Sequence, residues 1–440
     1  MHTDQLQRRR RLLFICALSM LLGGLAVLVA KSLLLLINLV TNAAYNHQFS
    51  FSPASPWTHT LGFWSIFIPV IGGLVVGIMA RFGSVAIRGH GIPEAMEKIL
   101  IDDSRIPRRM TWLKPLSSAV AIGTGGPFGA EGPIIATGGA LGSLLGQLFP
   151  VSGTERKILL AAGAAAGMTA IFSTPVSSVL LAVELLLFEF RAKSFIPVAM
   201  AAATAGTLRP LFLDAAPVFP MPTFEMIQSE AFIAIIILGF LMGLLSVLVT
   251  KSVYAVEDLF EKLPIHWMWW PAIGGLAVGV IGLVEPRSLG VGYENITAAL
   301  SGNFTISAAI GLCVWKFISW AIALGSGTSG GTLAPLLTFG GLLGLVVGHL
   351  LIYLFPNSGI DPHVMALAGM AALFSGCSRA VLTSTVFVFE ATLQPLSLIP
   401  LLTSCSVAYL ISSLLMENSI MTEKIARRGI KVPHEYHPRP

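Results

Sequence analysis

Charged residues are scarce in this sequence of 440 residues. Only 11% of the residues are charged, against about 25% in typical soluble domains, whereas 55% are hydrophobic. A soluble protein of this length could not bury so much apolar surface, and this excludes the soluble classes. The chain is therefore predicted to be an all-α polytopic membrane protein.

The spacings typical of metal sites and hydrolases are also missing. The four cysteines show no CxxC spacing and lie inside apolar runs, so they are predicted to be small core residues. They are Cys16, Cys313, Cys377 and Cys405. The nine histidines show no HExxH motif, and no GxSxG nucleophile elbow is present. We predict no metal, no cofactor and no enzymatic activity; an intramembrane enzyme that uses Glu131 or Glu184 with a histidine stays the alternative.

The net charge of +5 comes mostly from four short basic clusters. They span Arg8 to Arg11, Arg105 to Arg109, Arg191 to Lys193 and Lys424 to Arg428. Basic loops beside apolar segments mark the cytoplasmic side, so both termini are predicted to be cytoplasmic. Because long apolar stretches separate the clusters, nucleic-acid binding is not expected. The apolar run from Leu12 to about Val40 is too long for a signal-peptide core and predicts a retained first span.

Many of the later apolar runs are short and interrupted. Several fall below the roughly 20 residues of a straight helical span, and glycine or proline breaks many of them. Lipid tolerates such breaks only where the irregular backbone is buried in protein or lines a watery cavity. Broken helices at matching places in two halves point to the binding site of a transporter.

The two halves of the chain match each other. Residues 123 to 146 align without gaps on residues 325 to 348 at a shift of 202. Seven glycines coincide, where shuffling would give about 3, so we infer an internal duplication. Of these, Gly138, Gly142 and Gly146 are predicted to serve close helix packing. The predicted organisation is an N-terminal tail (1–11), a first transmembrane repeat (12–215), a second repeat (229–430) and a C-terminal tail (431–440).

Three breaks combine glycine with a proline near the start of an apolar run, which indicates a helix N-terminus. They lie at Gly89 to Pro93, Gly129 to Pro133 and Gly331 to Pro335. A helix N-terminus offers unpaired N–H groups and about half a positive charge, and so binds anions. Partial charges suit transport, because a conducted ion must also be released. If the duplication is inverted, all three N-termini meet near the midplane.

The same motifs resemble those of the CLC family of chloride channels and proton–chloride antiporters, in the bacterial type without CBS domains. GHGIPE at 89 to 94 is similar to the family's GSGIPE, and GAEGP at 129 to 133 to its GREGP. GSGTSGGTLAP at 325 to 335 and ENSIMTEKIARRG at 417 to 429 also resemble family segments. The resemblance implies about 18 tilted and re-entrant helices in two inverted repeats, a pore in each subunit of a homodimer, and residence in a bacterial inner membrane.

The resemblance also implies roles for single residues. Glu131 is the gate, whose carboxylate occupies the anion path and moves aside when protonated or displaced; a helix cap is the alternative. The implied anion site comprises His90, Gly91, Ala130, Glu131, Gly132, Thr332, Leu333 and Met421, largely through backbone amides. Lys114 corresponds to a lysine beneath the pore that raises the potential for anions; a lysine reaching to the interface is the alternative. Glu184 and Glu390 are predicted to cap or pair structurally.

At three positions the chain departs from the family pattern. His90 and Met421 replace the serine and tyrosine whose hydroxyls hold the central chloride. An imidazole can donate N–H, whereas a thioether donates nothing; alternatively, a neighbouring carbonyl satisfies the His90 ring. Leu185 replaces the glutamate of the proton path, so coupling would need another group such as Glu184 or Glu189.

We therefore predict chloride transport by a channel or a weakly proton-coupled exchanger. A proton-coupled exporter of fluoride or another small anion is the nearest alternative, because the family's fluoride branch also departs at the serine and tyrosine positions. A scaffold or sensor that transports nothing is a further alternative. The expected partners are small anions, protons if coupling exists, the lipid bilayer and a second copy of the chain.

Overall fold

A computed structural model describes residues 2–214, 216–225 and 229–433. Over these ranges the chain forms 17 α-helices and no β-strand, which confirms the all-α prediction. The helices of the first half are α1 (His2–Tyr45), α2 (Phe67–Ile78), α3 (Ile92–Ile101), α4 (Met110–Gly123), α5 (Glu131–Leu148), α6 (Gly153–Phe172), α7 (Pro175–Leu181) and α8 (Ala192–Leu208). Those of the second half are α9 (Ser229–Glu261), α10 (Trp270–Val284), α11 (Tyr293–Leu300), α12 (Ile306–Gly325), α13 (Leu333–Leu354), α14 (Pro362–Ser378), α15 (Val381–Thr392) and α16 (Leu398–Leu415), followed by α17 (Glu423–Arg427).

Helix packing repeats between the halves. In the first half α1 packs against α4, α6 and α8, and in the second half α9 packs in the same way against α12, α14 and α16. The symmetric mates α2 and α10 cross in opposite directions. A methyl group at Gly73 would meet the carbonyl oxygen of Pro271, whereas one at Gly77, further along α2, would meet that of Met268, which precedes Pro271 in the chain. Mates that run in opposite directions are expected when one repeat is inverted relative to the other.

Only some helices are long enough to cross a bilayer. Within the described residues, seven have the length and apolar composition of a span: Gln5–Tyr45, Gly62–Gly83, Ala231–Glu261, Trp267–Val284, Ile306–Gly325, Leu333–Leu354 and Pro395–Leu415. The apolar segments Pro175–Leu187, Pro362–Ser378 and Val381–Thr392 are shorter. Short helices deep in a membrane protein leave helix ends inside the protein, where their unpaired amides become available to a ligand.

Glycine allows the tightest helix contact in each half. A methyl group at Gly138 would lie 2.2 Å from the carbonyl oxygen of Gly163, and one at Gly142 would lie 2.0 Å from that of Leu159. The packing role predicted for Gly138, Gly142 and Gly146 is thus confirmed for the contact of α5 with α6. All four cysteines are buried and free, in agreement with their predicted place in the core.

The predicted tails fall at the edges of the described ranges. Helix α1 begins at His2, so the predicted tail at 1–11 continues directly into the first span, while Met1 and the side chain of Arg8 lie outside the described residues. Of the predicted tail at 431–440, residues 434–440 lie outside them as well, as does residue 215 at the end of the first predicted repeat.

Candidate anion-binding site

The starts of α5 and α13 lie side by side. Gly129 and Gly331 form an isolated antiparallel bridge, in which the Gly331 N–H donates to the Gly129 carbonyl oxygen at 3.1 Å. Both residues lie in the glycine-rich turns just before their helices. The two N-termini therefore meet inside the protein, as the sequence predicted for the turns at Glu131 and Leu333.

The start of α3 joins them. A methyl group at Gly132 would lie 2.3 Å from the His90 carbonyl oxygen and 2.9 Å from the Gly331 Cα atom. Only glycine leaves room for this approach of three backbone segments. Gly91 directly before α3 has φ of 95°, in the left-handed region that favours glycine. All three predicted breaks thus converge on one place.

A fourth break completes the arrangement and was not among the three predicted ones. The Gly290 N–H donates to the Gly125 carbonyl oxygen at 3.0 Å, and α11 begins shortly afterwards at Tyr293. Gly290 and Gly292 both have positive φ, as do Gly89 and Gly91 before α3. The signal was present in the duplication, because residues 290–292 match residues 89–91 at a shift of 201.

The Glu131 carboxylate lies where these helix starts meet. It is only 1% exposed, and its Oε1 atom accepts a hydrogen bond of 2.5 Å from the Ala334 N–H, in the first turn of α13. Its Oε2 atom accepts a hydrogen bond of 3.3 Å from the Tyr293 hydroxyl. A negative group that is covalently part of α5 therefore occupies the electropositive start of α13.

The Tyr293 side chain was missed by the sequence reasoning. Its ring packs edge-on against Phe172 at 5.9 Å between centroids and against Phe219 at 5.7 Å. Phe172 in turn contacts Phe387 at 4.9 Å. This apolar cluster fixes the phenol ring, so that its hydroxyl points at the Glu131 carboxylate.

The amides predicted for the anion site lie next to the Glu131 carboxylate. Ala130 is the residue before α5, Thr332 is the residue before α13, and both are buried. The hydrogen bond to the Glu131 carboxylate comes from the Ala334 N–H, next in sequence to Leu333, whose amide was predicted to bind the anion. The helix start was therefore predicted correctly, whereas the specific amide that binds the Glu131 carboxylate depends on how the two helices are offset.

Lys114 is buried beneath the start of α3 at 1% exposure, so the alternative of a lysine reaching to the interface is wrong. Its ammonium group donates to the carbonyl oxygens of Ile87 and Gly89, each at 2.8 Å. Lys316 does the same before α11, donating to the loop carbonyls of residues 288 and 290 at 3.0 and 3.1 Å. Each lysine binds carbonyls on one side of a break while the amides of the following helix stay available on the other.

Glu184 and Glu390 cap each other's neighbouring helices. The Glu184 carboxylate accepts the N–H groups of Leu382 and Thr383 at the start of α15, at 3.2 and 2.9 Å. The Glu390 carboxylate accepts the N–H groups of residues 176 and 177 at the start of α7, at 3.0 and 2.8 Å. The predicted capping is therefore present. It is reciprocal because the two repeats are inverted relative to each other.

Leu185 lies beside Glu184 along a separate cavity of about 680 Å³.

His90 and Met421 are both buried, at 5% and 0% exposure. No described atom accepts or donates a hydrogen bond at the His90 Nδ1 atom, so the alternative in which a carbonyl satisfies this atom is wrong. Met421 lies before α17, where its N–H donates to the Ser419 hydroxyl at 3.2 Å. Its thioether offers no donor to an anion.

Glu189, the other acid considered for protons, accepts a hydrogen bond from Ser194 at 2.6 Å, at the start of α8.

Comparison with known proteins identifies the fold that holds these helix starts together. A family model described as voltage gated chloride channel matches residues 71–413. The chain belongs to this family. It is thus an integral membrane protein of the CLC type, and the motifs at Gly89, Gly129 and Gly331, which lie within the matched residues, carried the resemblance correctly.

Individual relatives agree with the family assignment. The chain is 29% identical over 360 residues to the H(+)/Cl(-) exchange transporter ClcA of Salmonella paratyphi B, covering 77% of this chain and 73% of that one. Its fold is similar to that of a slow cyanobacterial Cl-/H+ antiporter, with a TM-score of 0.84, 23% identity and coverage of 94% and 97% of the two chains. A CLC-type fluoride/proton antiporter is similar with a TM-score of 0.74, 22% identity and coverage of 93% and 97%.

Proposed function

We propose that this CLC protein transports chloride across the membrane and that Glu131 is its gate. The supporting observation is the Glu131 carboxylate hydrogen-bonded to the Ala334 amide at the start of α13. An anion that enters the same place must displace this carboxylate, because both need the same unpaired amides. The exchange transporters among the similar proteins support chloride as the anion.

Gating then follows from competition between a tethered and a free anion. The ionised carboxylate closes the path by occupying the site itself. Protonation removes its charge and weakens its bond to the helix start, so chloride replaces it more readily at low pH. Because no basic side chain lies within hydrogen-bond distance of the Glu131 carboxylate among the described residues, the bound chloride is held by partial charges and leaves quickly.

Replacing Glu131 by glutamine tests this gate in liposomes that contain the purified protein. Glutamine has nearly the same size but cannot ionise, so we expect chloride efflux to persist while its dependence on pH disappears. If the pH dependence of the variant equalled that of the natural protein, Glu131 would not be the gate. If the natural protein moved no anion at all, chloride transport itself would be refuted and a scaffold or sensor favoured.

Proton coupling is proposed to be weak or absent. Leu185 cannot titrate, and the neighbouring Glu184 carboxylate is bound by the amides and the hydroxyl of α15. These three hydrogen bonds fix the Glu184 carboxylate at the start of α15, so it would have to leave this cap to carry a proton elsewhere. Uphill proton movement driven by a chloride gradient at a fixed stoichiometry would contradict this proposal.

Fluoride is the second candidate anion, favoured by the absence of a hydroxyl donor at both His90 and Met421. Competition between chloride and fluoride during efflux separates the two. If fluoride passes faster than chloride at equal concentration, the hypothesis that fluoride is the transported anion is favoured. Equal inhibition of chloride efflux by the larger halides would favour a chloride pore.

The assembly and orientation are proposed from the same resemblance. We propose a homodimer with one pore in each subunit, in a bacterial inner membrane with both termini in the cytoplasm. Chemical crosslinking in native membranes tests the dimer. Accessibility of a single cysteine at position 6, on an otherwise cysteine-free background, tests the orientation of the N-terminus.

A further inference from the structure

The four basic clusters of the sequence differ in whether carboxylates neutralise them. In the cluster at 424–428 each cation has a carboxylate partner: Lys424 pairs with Glu94, Arg427 with Asp258 and Arg428 with Glu97. Single cations of the clusters at 8–11 and 191–193 are paired as well. Arg105, Arg108 and Arg109 are exposed, and none of them forms an ion pair within the described residues. This cluster therefore keeps its positive charge for a partner.

The loop that carries these arginines, between α3 and α4, is fixed by hydrogen bonds to two other helices. The Ile106 N–H donates to the Ser143 hydroxyl of α5 at 2.8 Å, and the Gln147 side chain donates to the Ile106 carbonyl oxygen at 3.0 Å. The Nε atom of Arg156 in α6 donates to the Asp103 carbonyl oxygen at 3.1 Å. Because the backbone of the loop is already held in place, its exposed arginines lose little freedom when they bind a ligand.

The segment just after α2 lies against the same loop. The Arg109 guanidinium donates to the Gly83 carbonyl oxygen at 2.8 Å, and a methyl group at Gly83 would lie 2.8 Å from the Cδ2 atom of Leu113. Arg81, two residues before Gly83, is exposed and forms no ion pair within the described part of the chain. A fourth unpaired arginine thus joins the three of the loop.

Two large aromatic side chains adjoin these arginines and are exposed. Phe82 follows Arg81 directly and is 78% exposed. Trp112 is 58% exposed and lies three residues after Arg109, on the same side of the helix. We call this set the arginine patch, and it comprises Arg81, Phe82, Arg105, Arg108, Arg109 and Trp112.

The arginine patch lies at the level of the lipid headgroups. The candidate span Gly62–Gly83 has 22 residues and covers about 33 Å at 1.5 Å per residue, close to the hydrocarbon thickness of about 30 Å. Arg81 lies in the last turn of this span. Arg11, near the start of the first span, pairs with Glu155, which is next to the Arg156 that binds the loop. The patch is therefore on the same side of the membrane as the start of α1.

The acids of the loop do not neutralise the patch. Asp102 pairs with Lys98, and Asp103 forms no ion pair within the described residues. Four guanidinium groups at one place on the membrane interface thus have no carboxylate partner. Like charges that lie so close together repel each other, so a bound anion stabilises them.

We propose that the arginine patch binds one anionic phospholipid of the adjoining leaflet. Guanidinium groups bind a phosphate through paired, charge-assisted hydrogen bonds. The exposed rings of Phe82 and Trp112 contact the acyl chains, which a free phosphate ion lacks. A lipid with a net negative headgroup fits better than a zwitterionic one, because the cationic group of a zwitterion would meet the arginines. Clusters of basic residues beside membrane spans attract acidic lipids for the same reason.

The test uses the fluorescence of Trp112 as a local readout and does not depend on the proposed chloride transport. The purified natural protein is placed in phosphatidylcholine vesicles that contain a small fraction of either phosphatidylglycerol or phosphatidylcholine brominated near the headgroup. Bromine quenches an indole only at close range, and the other tryptophans among the eight contribute background. We expect stronger quenching by brominated phosphatidylglycerol than by brominated phosphatidylcholine, and Trp112→Phe should remove this excess.

Removing arginines should weaken lipid binding by a measurable factor. Each basic residue near the membrane surface contributes about fivefold to the binding of acidic lipid, so Arg105→Gln with Arg108→Gln should raise the phosphatidylglycerol fraction for half-maximal excess quenching about 25-fold. Lysine at both positions keeps the charge and should restore most of the effect. Arg427→Gln with Arg428→Gln removes the same charge from the cluster that is already paired, and it should leave the excess quenching unchanged.

Equal quenching of the natural protein by the two brominated lipids would overturn the proposal without any variant, so a folding defect cannot conceal its failure. An excess that survives Arg105→Gln with Arg108→Gln, or that falls equally in the control variant, would overturn it as well. Loss of the excess on addition of soluble glycerol phosphate would show that the patch recognises a free phosphate group and not a lipid. Chloride efflux measured in the same vesicles distinguishes a failure of this inference from a failure of transport.

Discussion

Replacing Tyr293 by phenylalanine removes one of the two hydrogen bonds that hold the Glu131 carboxylate in place. The phenol donates at 3.3 Å, longer than an ordinary O–H···O bond, while the Ala334 amide donates at 2.5 Å. Hydrogen bonds to charged groups contribute about 1.5–3 kcal/mol, and the long distance places this one at or below the lower end, at about 1 kcal/mol. Because 1.4 kcal/mol corresponds to about tenfold, chloride should displace the carboxylate about fivefold more easily.

The expected result is a fall of about fivefold in the chloride concentration that gives half-maximal efflux at neutral pH. Phenylalanine keeps the ring contacts with Phe172 and Phe219, so folding should not change. A double-mutant cycle with Glu131→Gln isolates the contact, since the hydroxyl then no longer faces a charge. If Tyr293→Phe had the same effect in the glutamine background, the hydroxyl would act elsewhere and the reasoning would be refuted.

The remaining predictions concern packing and capping. Gly132→Ala should abolish folded, transporting protein, because its methyl group would lie 2.3 Å from a backbone carbonyl oxygen, whereas Gly311→Ala meets nothing within 4 Å and should transport normally. Normal efflux from Gly132→Ala would contradict the convergence of the helix starts. Glu184→Gln and Glu390→Gln should each lower thermal stability to a similar extent, about 1 kcal/mol, because each carboxylate caps one helix. A change in proton flux confined to Glu184→Gln would instead place Glu184 on a proton path.

Local features of the chain could be predicted because they depend on neighbours in sequence. The apolar runs and the scarcity of charge indicate membrane helices, and glycine followed by proline marks the starts of α3, α5 and α13. The matched spacing of two halves indicates the duplication. The resemblance of GAEGP to the family motif selected Glu131 as the candidate gate, and the position of this acid at the start of a helix agreed with that role.

Contacts between distant residues could not be predicted in this way. The sequence analysis selected the start of α13 and its Thr332 and Leu333 amides for an anion, but it made no prediction of the amide that binds the Glu131 carboxylate, since the offset between two helices is set by packing. It omitted Tyr293 because one tyrosine at the start of a short helix has no distinctive pattern. It left Lys114 and His90 with two alternatives each, because only burial and the positions of neighbouring carbonyls and charges decide between them.

The sequence by itself determined that the chain forms membrane helices, where three of them begin, how the chain repeats, and which of those ends are electropositive, because helix starts are set by residues within a turn of each other. Only the tertiary structure decided that four such ends meet, which amide and hydroxyl hold the Glu131 carboxylate, and that the acids of the two repeats cap each other's helices. These pairings join residues 162 to 213 positions apart. Their geometry follows from the close glycine contacts between helices, and no local pattern encodes the relative position of two helices so far apart in the chain.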